Sequence, residues 1–303
     1  MFRTVVVNIG ERMSVKDNWL VVSADSEEKR IPIDDIYSVV VDNQRTAMTI
    51  PCLNALTCSG AHVVLCNEKH NPVAVVLPFN THYRPLNVIR KQLALTQDFK
   101  DKIWDEIIRN KILNQAKVLE LCGCIGDRIA RLRELAQEVV DGDSGNREGI
   151  AAKMYFRSLF GSGFIRMNDD AVNAALNYGY AMIRSAISKA LCGYGFNCVL
   201  GIHHINESNP FNLADDLMEP LRPIIDLWVA DNMEELFDEL TKQQRNELAA
   251  IVNNVVILGN KKMRLRNAIE KYIQSFSTTL ERNSLKYLVF PEIIRNEYYV
   301  EDE

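Results

Sequence analysis

Residues 201–223 carry two adjacent histidines, His203 and His204, followed, after Glu207, by three closely spaced carboxylates, Asp215, Asp216 and Glu219. Imidazole nitrogen and carboxylate oxygen together suit a divalent ion such as Mg2+ or Mn2+, which can drive phosphodiester chemistry. Asn212 is a good helix N-cap with Asp215 three positions on, so the spacing predicts a helix that begins here. On that helix Asp216 and Glu219 share a face, as do Asp215 and Glu219, and stacked like charges repel. A divalent cation would offset the repulsion and also explain the histidines just upstream. Pro220 adds a bend beside the acidic pair, because it removes the hydrogen bond to the Asp216 carbonyl. Capping accounts for Asp215 by itself, and spacing alone does not choose between His203 and His204. A third ligand has to come from elsewhere. The turn-rich stretch Asp143 to Asn146 opens a helix with Glu148 in its first turn, where a carboxylate can serve a metal or simply complement the helix dipole.

The elements that must position these groups fall into two kinds. From Phe2 to about Leu77, short β-branched runs alternate with polar breaks: Thr4–Val7, Trp19–Val22, Ile36–Val41, Ala61–Cys66 and Val73–Leu77 read as strands. Between them Ile50–Ser59 reads as a short helix with Pro51 in its first turn. Beyond Pro78 and Pro85 the period becomes helical, with segments at Val88–Lys117, Gly126–Val140, Arg147–Phe160, Ala171–Leu191, Asn212–Trp228, Met233–Leu240, Lys242–Asn253 and Lys261–Leu280. The expected fold is α+β by segregation: a small β-rich N-terminal domain (1–78), a linker (79–87) and a larger all-helical C-terminal domain (88–303). The acidic, aromatic stretch from Asn296 to Glu303 has no periodicity.

The net charge of −5 is unexpected for a chain that handles nucleic acid, but its distribution is polarised. Arg84 to Arg133 holds 11 basic against 6 acidic residues, whereas Asp215 to Glu247 holds 3 against 10. Seven cysteines lack the paired spacing of a structural zinc site and read as reduced and packed. There is neither a long apolar run nor a basic leader, which argues for a cytoplasmic protein with no membrane role.

Three motifs resemble those of the CRISPR-associated integrase family Cas-one, in particular its type II branch, and the resemblance covers essentially the whole chain. They are R-E-G-x-x-A-x-x-Y-F (Arg147 to Phe156), L-N-Y-G-Y-A (Leu176 to Ala181), and G-x-x-H (Gly201 to His204) followed by F-N-L-A-D-D-L-M-E-P (Phe211 to Pro220). The resemblance implies that Glu148, His204 and Glu219 hold Mg2+ or Mn2+, with Asp216 as the first aspartate of the acidic pair. The Gly201 spacing selects His204 over His203. It also implies a homodimer that works with the partner Cas-two on double-stranded DNA, a captured fragment and the CRISPR repeat. A type II accessory DNA-end-binding protein and the RNA-guided effector nuclease would assist.

The implied reaction is a transesterification in which a 3′-hydroxyl of the captured DNA attacks a phosphodiester of the repeat. Replacing the hydroxyl with water gives endonuclease activity. Local charge marks Arg84, Arg90 and Lys91 near the domain junction, and Lys261, Lys262, Arg264 and Arg266 further on, as candidate phosphate contacts. Tyr178 could pack or lie near the metal, whereas Tyr180 is expected to pack. Two competing readings are a metal-dependent nuclease of repair or branched DNA, and a non-catalytic DNA-binding scaffold.

Overall fold

In the computed structural model, which describes residues 1–24, 27–78, 82–124 and 126–295, the β-branched runs become strands of two sheets. The elements of this region are β1 (Arg3–Val7), β2 (Arg12–Lys16), β3 (Trp19–Ala24), β4 (Glu27–Pro32), β5 (Ile36–Val41), β6 (Ala47–Met48), α1 (Ile50–Cys58), β7 (His62–Cys66) and β8 (Pro72–Val76). One sheet has the order β1-β5-β7-β8 and the other β4-β3-β2-β6. Asp17 and Asn18, both at positive φ (50° and 63°), make the two-residue turn that pairs Lys16 with Trp19 and sets the β2–β3 register. Strand β4 escaped the sequence reading because Glu27–Arg30 are all exposed and charged, so no apolar alternation marks them. Strands β2 and β6 were missed as well.

The second region contains α2 (Pro85–Leu93), α3 (Gln97–Leu121), α4 (Asp127–Gln137), α5 (Arg147–Leu159), α6 (Ala171–Gly193), α7 (Asn212–Met218), α8 (Arg222–Asp231), α9 (Lys242–Ala249), β9 (Val255–Leu258), β10 (Lys261–Arg264), α10 (Leu265–Arg282) and β11 (Glu292–Ile293). It is therefore not all-helical: β10, β9 and β11 form a three-stranded antiparallel sheet. Gly259 and Asn260, at φ 55° and 64°, turn the β9–β10 hairpin, a Gly-Asn signal the helical reading passed over. The helix expected from Val88 to Lys117 is two helices, parted where the Thr96 side chain caps α3 by accepting from the Phe99 N–H. Met233–Leu240 yields a single 3-10 turn, Met233–Glu235. Of the expected linker, residues 79–81 lie outside the described residues and Pro85 already opens α2. The stretch from Asn296 onward also lies outside them.

Apolar burial joins the two regions. Tyr37, Val40, Val64 and Cys66 of the mixed β1-β5-β7-β8 sheet belong to the large core built mainly from α3, α6, α8 and α10. Val39, Val41 and Val63 of the same strands belong to a second core inside the β-rich region. Polar ties reinforce the join. Asp42, just past β5, accepts from Arg245 of α9 at 2.9 Å, and His62 meets Ser185 of α6 at 3.3 Å. Among the described residues no helix is long and apolar enough to cross a membrane.

Candidate metal centre

The central helix α3 is buried along most of its length, and its apolar face contains a polar island, Lys111, Asn114 and Gln115, set among Ile107, Ile108, Ile112 and Ala116. Buried polar groups need partners. Asn114 donates to the carbonyls of Pro220 (2.8 Å) and Pro291 (3.0 Å) and accepts from the Ile293 N–H (3.3 Å). It thereby fixes the short 3-10 segment Glu219–Leu221 that joins α7 to α8. Pro220 lies within that segment, so the expected bend takes the form of a helix ending and a new one starting at Arg222.

Glu148 reaches the same place from α5. The Asp143 carboxylate accepts from the N–H groups of Arg147 (2.8 Å) and Glu148 (3.0 Å), and Asn146, left-handed at φ 49°, accepts from Gly149. These caps fix the first turn. Glu148 and Glu219 then converge on one cation: Lys111 Nζ lies 2.5 Å from Glu148 Oε1 and 2.5 Å from Glu219 Oε2. Arg222 Nε holds the other oxygen of Glu219 at 2.7 Å. Burial would raise the Glu219 pKa, but Arg222 and Lys111 outweigh it and hold the carboxyl down at about 2. Burial would lower the Lys111 pKa, but Glu219 and Glu148 outweigh it and raise it.

The histidine loop is organised by Asp216, which is fully buried. Its carboxylate accepts from the N–H groups of Ile202 (2.5 Å), His203 (3.1 Å) and His204 (3.0 Å), and from His204 Nδ1 at 2.6 Å. A carboxylate only accepts, so the His204 proton sits on Nδ1 and Nε2 is left with its lone pair outward. The Asp216 bond raises the imidazole pKa against the effect of partial burial. Gly201 is required here: a Cβ would lie 2.2 Å from the His204 carbonyl oxygen. Trp104 of α3 packs on both histidines, stacking on His203 at 4.2 Å and meeting His204 edge-on, and the two imidazoles also meet edge to face at 5.9 Å.

Several expectations need correction. Asn212 is not the N-cap: α7 begins after Phe211 without a side-chain cap, and Asn212 donates instead to the carbonyls of Val199 and Asn206. Asp215 is no cap either, since it pairs with Arg184 at 2.8 Å and accepts from Asn209. Repulsion between the helix acids is therefore offset by Arg184, Lys111, Arg222 and backbone N–H groups rather than by a metal alone. Of the candidate DNA contacts, Tyr178 (1% exposed) and Arg266 (7%) are buried in packing and offer no surface to a phosphate. Arg84, just before α2, and Arg90 on it are exposed, Lys91 pairs with Glu281 at 3.0 Å, and Lys261, Lys262 and Arg264 lie along β10.

Lys111, Gln115, Glu148, Phe156, Arg166, Tyr180, Glu219, Arg222 and Asp226 line a cleft of about 240 Å3. Asp226 at its base accepts from the hydroxyls of Tyr155 (3.0 Å) and Tyr180. Burial pushes its pKa up to about 6, with the two tyrosine hydrogen bonds acting in the opposite sense. Neither Lys111 nor Asp226 was found from the sequence. The available signal was a Lys-x-x-Asn-Gln spacing on an otherwise apolar helix.

By type, the two carboxylates of Glu148 and Glu219 and the imidazole nitrogen of His204 are donors that suit Mg2+ or Mn2+. The His204–Asp216 bond is the outer support a ligating histidine needs. Among the described residues no three of His, Cys, Asp and Glu are grouped so as to hold a metal ion. The structure brings Glu148 and Glu219 together on Lys111, while His204 is oriented from the adjoining loop.

Residues 4–250 match the family described as CRISPR associated protein Cas1. The chain is 38% identical over 296 residues to the CRISPR-associated endonuclease Cas1 of Neisseria meningitidis serogroup C (strain 8013), covering 97% of each chain. Two solved structures share the fold. A casposase bound to integration product superposes with a TM-score of 0.75 at 18% identity, over 93% of this chain and 91% of that one. A Cas6-RT-Cas1–Cas2 complex does so at 0.73 and 18%, over 96% of this chain and 36% of that one.

Proposed function

This chain belongs to the CRISPR-associated Cas1 family, and on that premise we propose that Glu148, Glu219 and His204 are the divalent-metal ligands of its DNA-joining centre. It is a CRISPR-associated endonuclease and integrase of the adaptation step. The observation that carries the site assignment is the convergence of Glu148 and Glu219, from α5 and the α7–α8 junction, on a single cation in a cleft.

The reaction joins a 3′-hydroxyl oxygen of the captured fragment to a repeat phosphorus while the bond from that phosphorus to the neighbouring 3′-oxygen breaks. The hydroxyl proton leaves the attacking oxygen, and the departing 3′-oxygen is protonated by solvent. When bound, Mg2+ or Mn2+ would stabilise charge on the phosphate and lower the pKa of the attacking group. The chain's own groups do the rest. Asp216 keeps the proton on His204 Nδ1, so that Nε2 is free to coordinate. Arg166 and Arg222 bring fixed positive charge to the cleft, where hydrogen-bonding cations suit phosphate oxygens. The exposed Arg84, just before α2, and Arg90 on it would track the DNA backbone. Helix α2 is tied to the histidine loop through Gln92, which donates to the carbonyls of Asn197 and Leu200 and accepts from the Asn197 N–H.

A Cas2 partner and double-stranded DNA belong to this reading, supported by the Cas1–Cas2 assembly of a structural neighbour. A homodimer and the accessory type II proteins rest on the motif resemblance. The test is strand joining between a repeat-bearing plasmid and duplexes with 3′-hydroxyl ends, with and without Cas2. His204→Ala should abolish joining and cleavage while DNA affinity stays within about twofold. Joining that survives in His204→Ala, or in EDTA, would remove the metal reading. Cleavage without joining under every condition would favour a repair nuclease.

A further inference from the structure

The place between Glu148 and Glu219 already belongs to a cation. Lys111 Nζ is 2.5 Å from one oxygen of each, and its side chain is 10% exposed. A divalent ion held by the same two carboxylates would compete with this ammonium for their oxygens. We propose that Lys111 is the resident cation of the Glu148–Glu219 pair, and that a divalent ion enters by displacing its ammonium group into the adjoining cleft. This rests on Glu148 and Glu219 being metal ligands.

Three observations support an exchange rather than a permanent bridge. Glu219 is 4% exposed, so a metal-free pair needs buried counter-charge; Arg222 supplies it to one Glu219 oxygen, and Lys111 supplies it to the other and to Glu148. Lys111 lies on the buried side of α3, one turn beyond the buried Ile107 and Ile108, and its long side chain leaves a flexible terminus to move. The cleft beside it, about 240 Å3, offers a new partner in Asp226, whose carboxylate already feels the Lys111 charge. An ammonium turned toward Asp226 would remain compensated and face the space where a phosphate enters. Lys111 is thus a positioning residue: it keeps the empty site folded and sets a threshold for metal entry.

The test is Mn2+ binding without DNA, followed by calorimetry and by electron paramagnetic resonance of free Mn2+, for wild type, Lys111→Met and His204→Ala. Lys111→Met removes the competitor while keeping the stem. It should bind Mn2+ at least tenfold more tightly than wild type, and its lower metal-free Tm should recover on saturation with Mn2+. A merely structural lysine gives the opposite sign, since a loosened site binds metal less well. Equal or weaker Mn2+ binding by Lys111→Met, at a site that His204→Ala abolishes, overturns the proposal. Should that variant not fold, wild-type Lys111 supplies the readout through acetic anhydride labelling read by peptide mass spectrometry. Labelling should rise at least threefold with Mn2+, and an unchanged or reduced level overturns the exchange. Failure of the underlying ligand assignment looks different: wild type and Lys111→Met then bind no Mn2+, or bind it unaffected by His204→Ala.

Discussion

Asp216 holds His204 twice, by its backbone N–H at 3.0 Å and by Nδ1 at 2.6 Å, and the same carboxylate takes the N–H groups of the two residues before it. One buried side chain therefore fixes the loop, the ring orientation and the tautomer. Asp216→Asn keeps the volume but sets an amide NH2 against N–H donors, so at least one bond is lost. Losses of outer support at metal sites run at roughly 10- to 100-fold. Asp216→Asn should reduce strand joining in about that range with DNA affinity unchanged. A variant that joins strands at the wild-type rate would show that the loop needs no such support.

Asn114 tests the other arm of the site. It spans α3, the Glu219–Leu221 turn and β11 with two donated bonds and one accepted bond. Asn114→Ala strands two carbonyls and one N–H in the interior, at roughly 1–3 kcal/mol for each unmade bond. Urea unfolding should show a loss of about 3 kcal/mol or more, and joining should fall because the turn carrying Glu219 loosens. A midpoint within error of wild type would mean that water or rearrangement replaces all three bonds.

The His204 and Glu219 segment was legible because its chemistry is local: helix spacing, Pro220 and a glycine three residues before a histidine all lie within twenty residues. The strand at Ile36–Val41 was equally plain from its β-branched run. What stayed hidden depended on contacts distant in sequence. Asp215 looks like a cap until Arg184, on α6, is seen beside it. Acidic crowding argued for a metal, yet Lys111 sits 37 residues from Glu148 in the chain and neutralises much of it. Strand β4 is a charged edge strand whose pairing with β3 leaves no apolar pattern to read.

Asp226 gives the fold a pH dependence whose sign can be stated. Its pKa is about 6 in the folded chain, against an ordinary aspartate value of 3.8. A raised carboxyl binds its proton more tightly when folded, so its contribution is fully present below pH 3.8 and is lost as pH rises through 6. Over that window the loss is about 3 kcal/mol, from roughly two units at 1.36 kcal/mol each. Asp226→Asn has no proton to lose. The variant's stability relative to wild type should therefore rise by about 2–3 kcal/mol between pH 4 and pH 7. A difference that stays flat across this range in urea titrations would show that folding does not raise the Asp226 pKa.

The DNA-facing surface is tested best by salt dependence. Each phosphate neutralised by a lysine or arginine contributes about one counterion to the slope of log affinity against log salt. Arg84, just before α2, and Arg90 on it are exposed, and Gln92 joins α2 to the histidine loop, whereas Tyr178 is buried in α6. Arg90→Ala and Arg84→Ala should each weaken binding to duplex of any sequence and lower the slope by about one. Tyr178→Phe removes only an interior hydroxyl and should leave both affinity and slope unchanged. The tyrosine variant thus separates a surface effect from a general loss of packing. A slope that responds to Tyr178 and not to the arginines would place the DNA path away from α2.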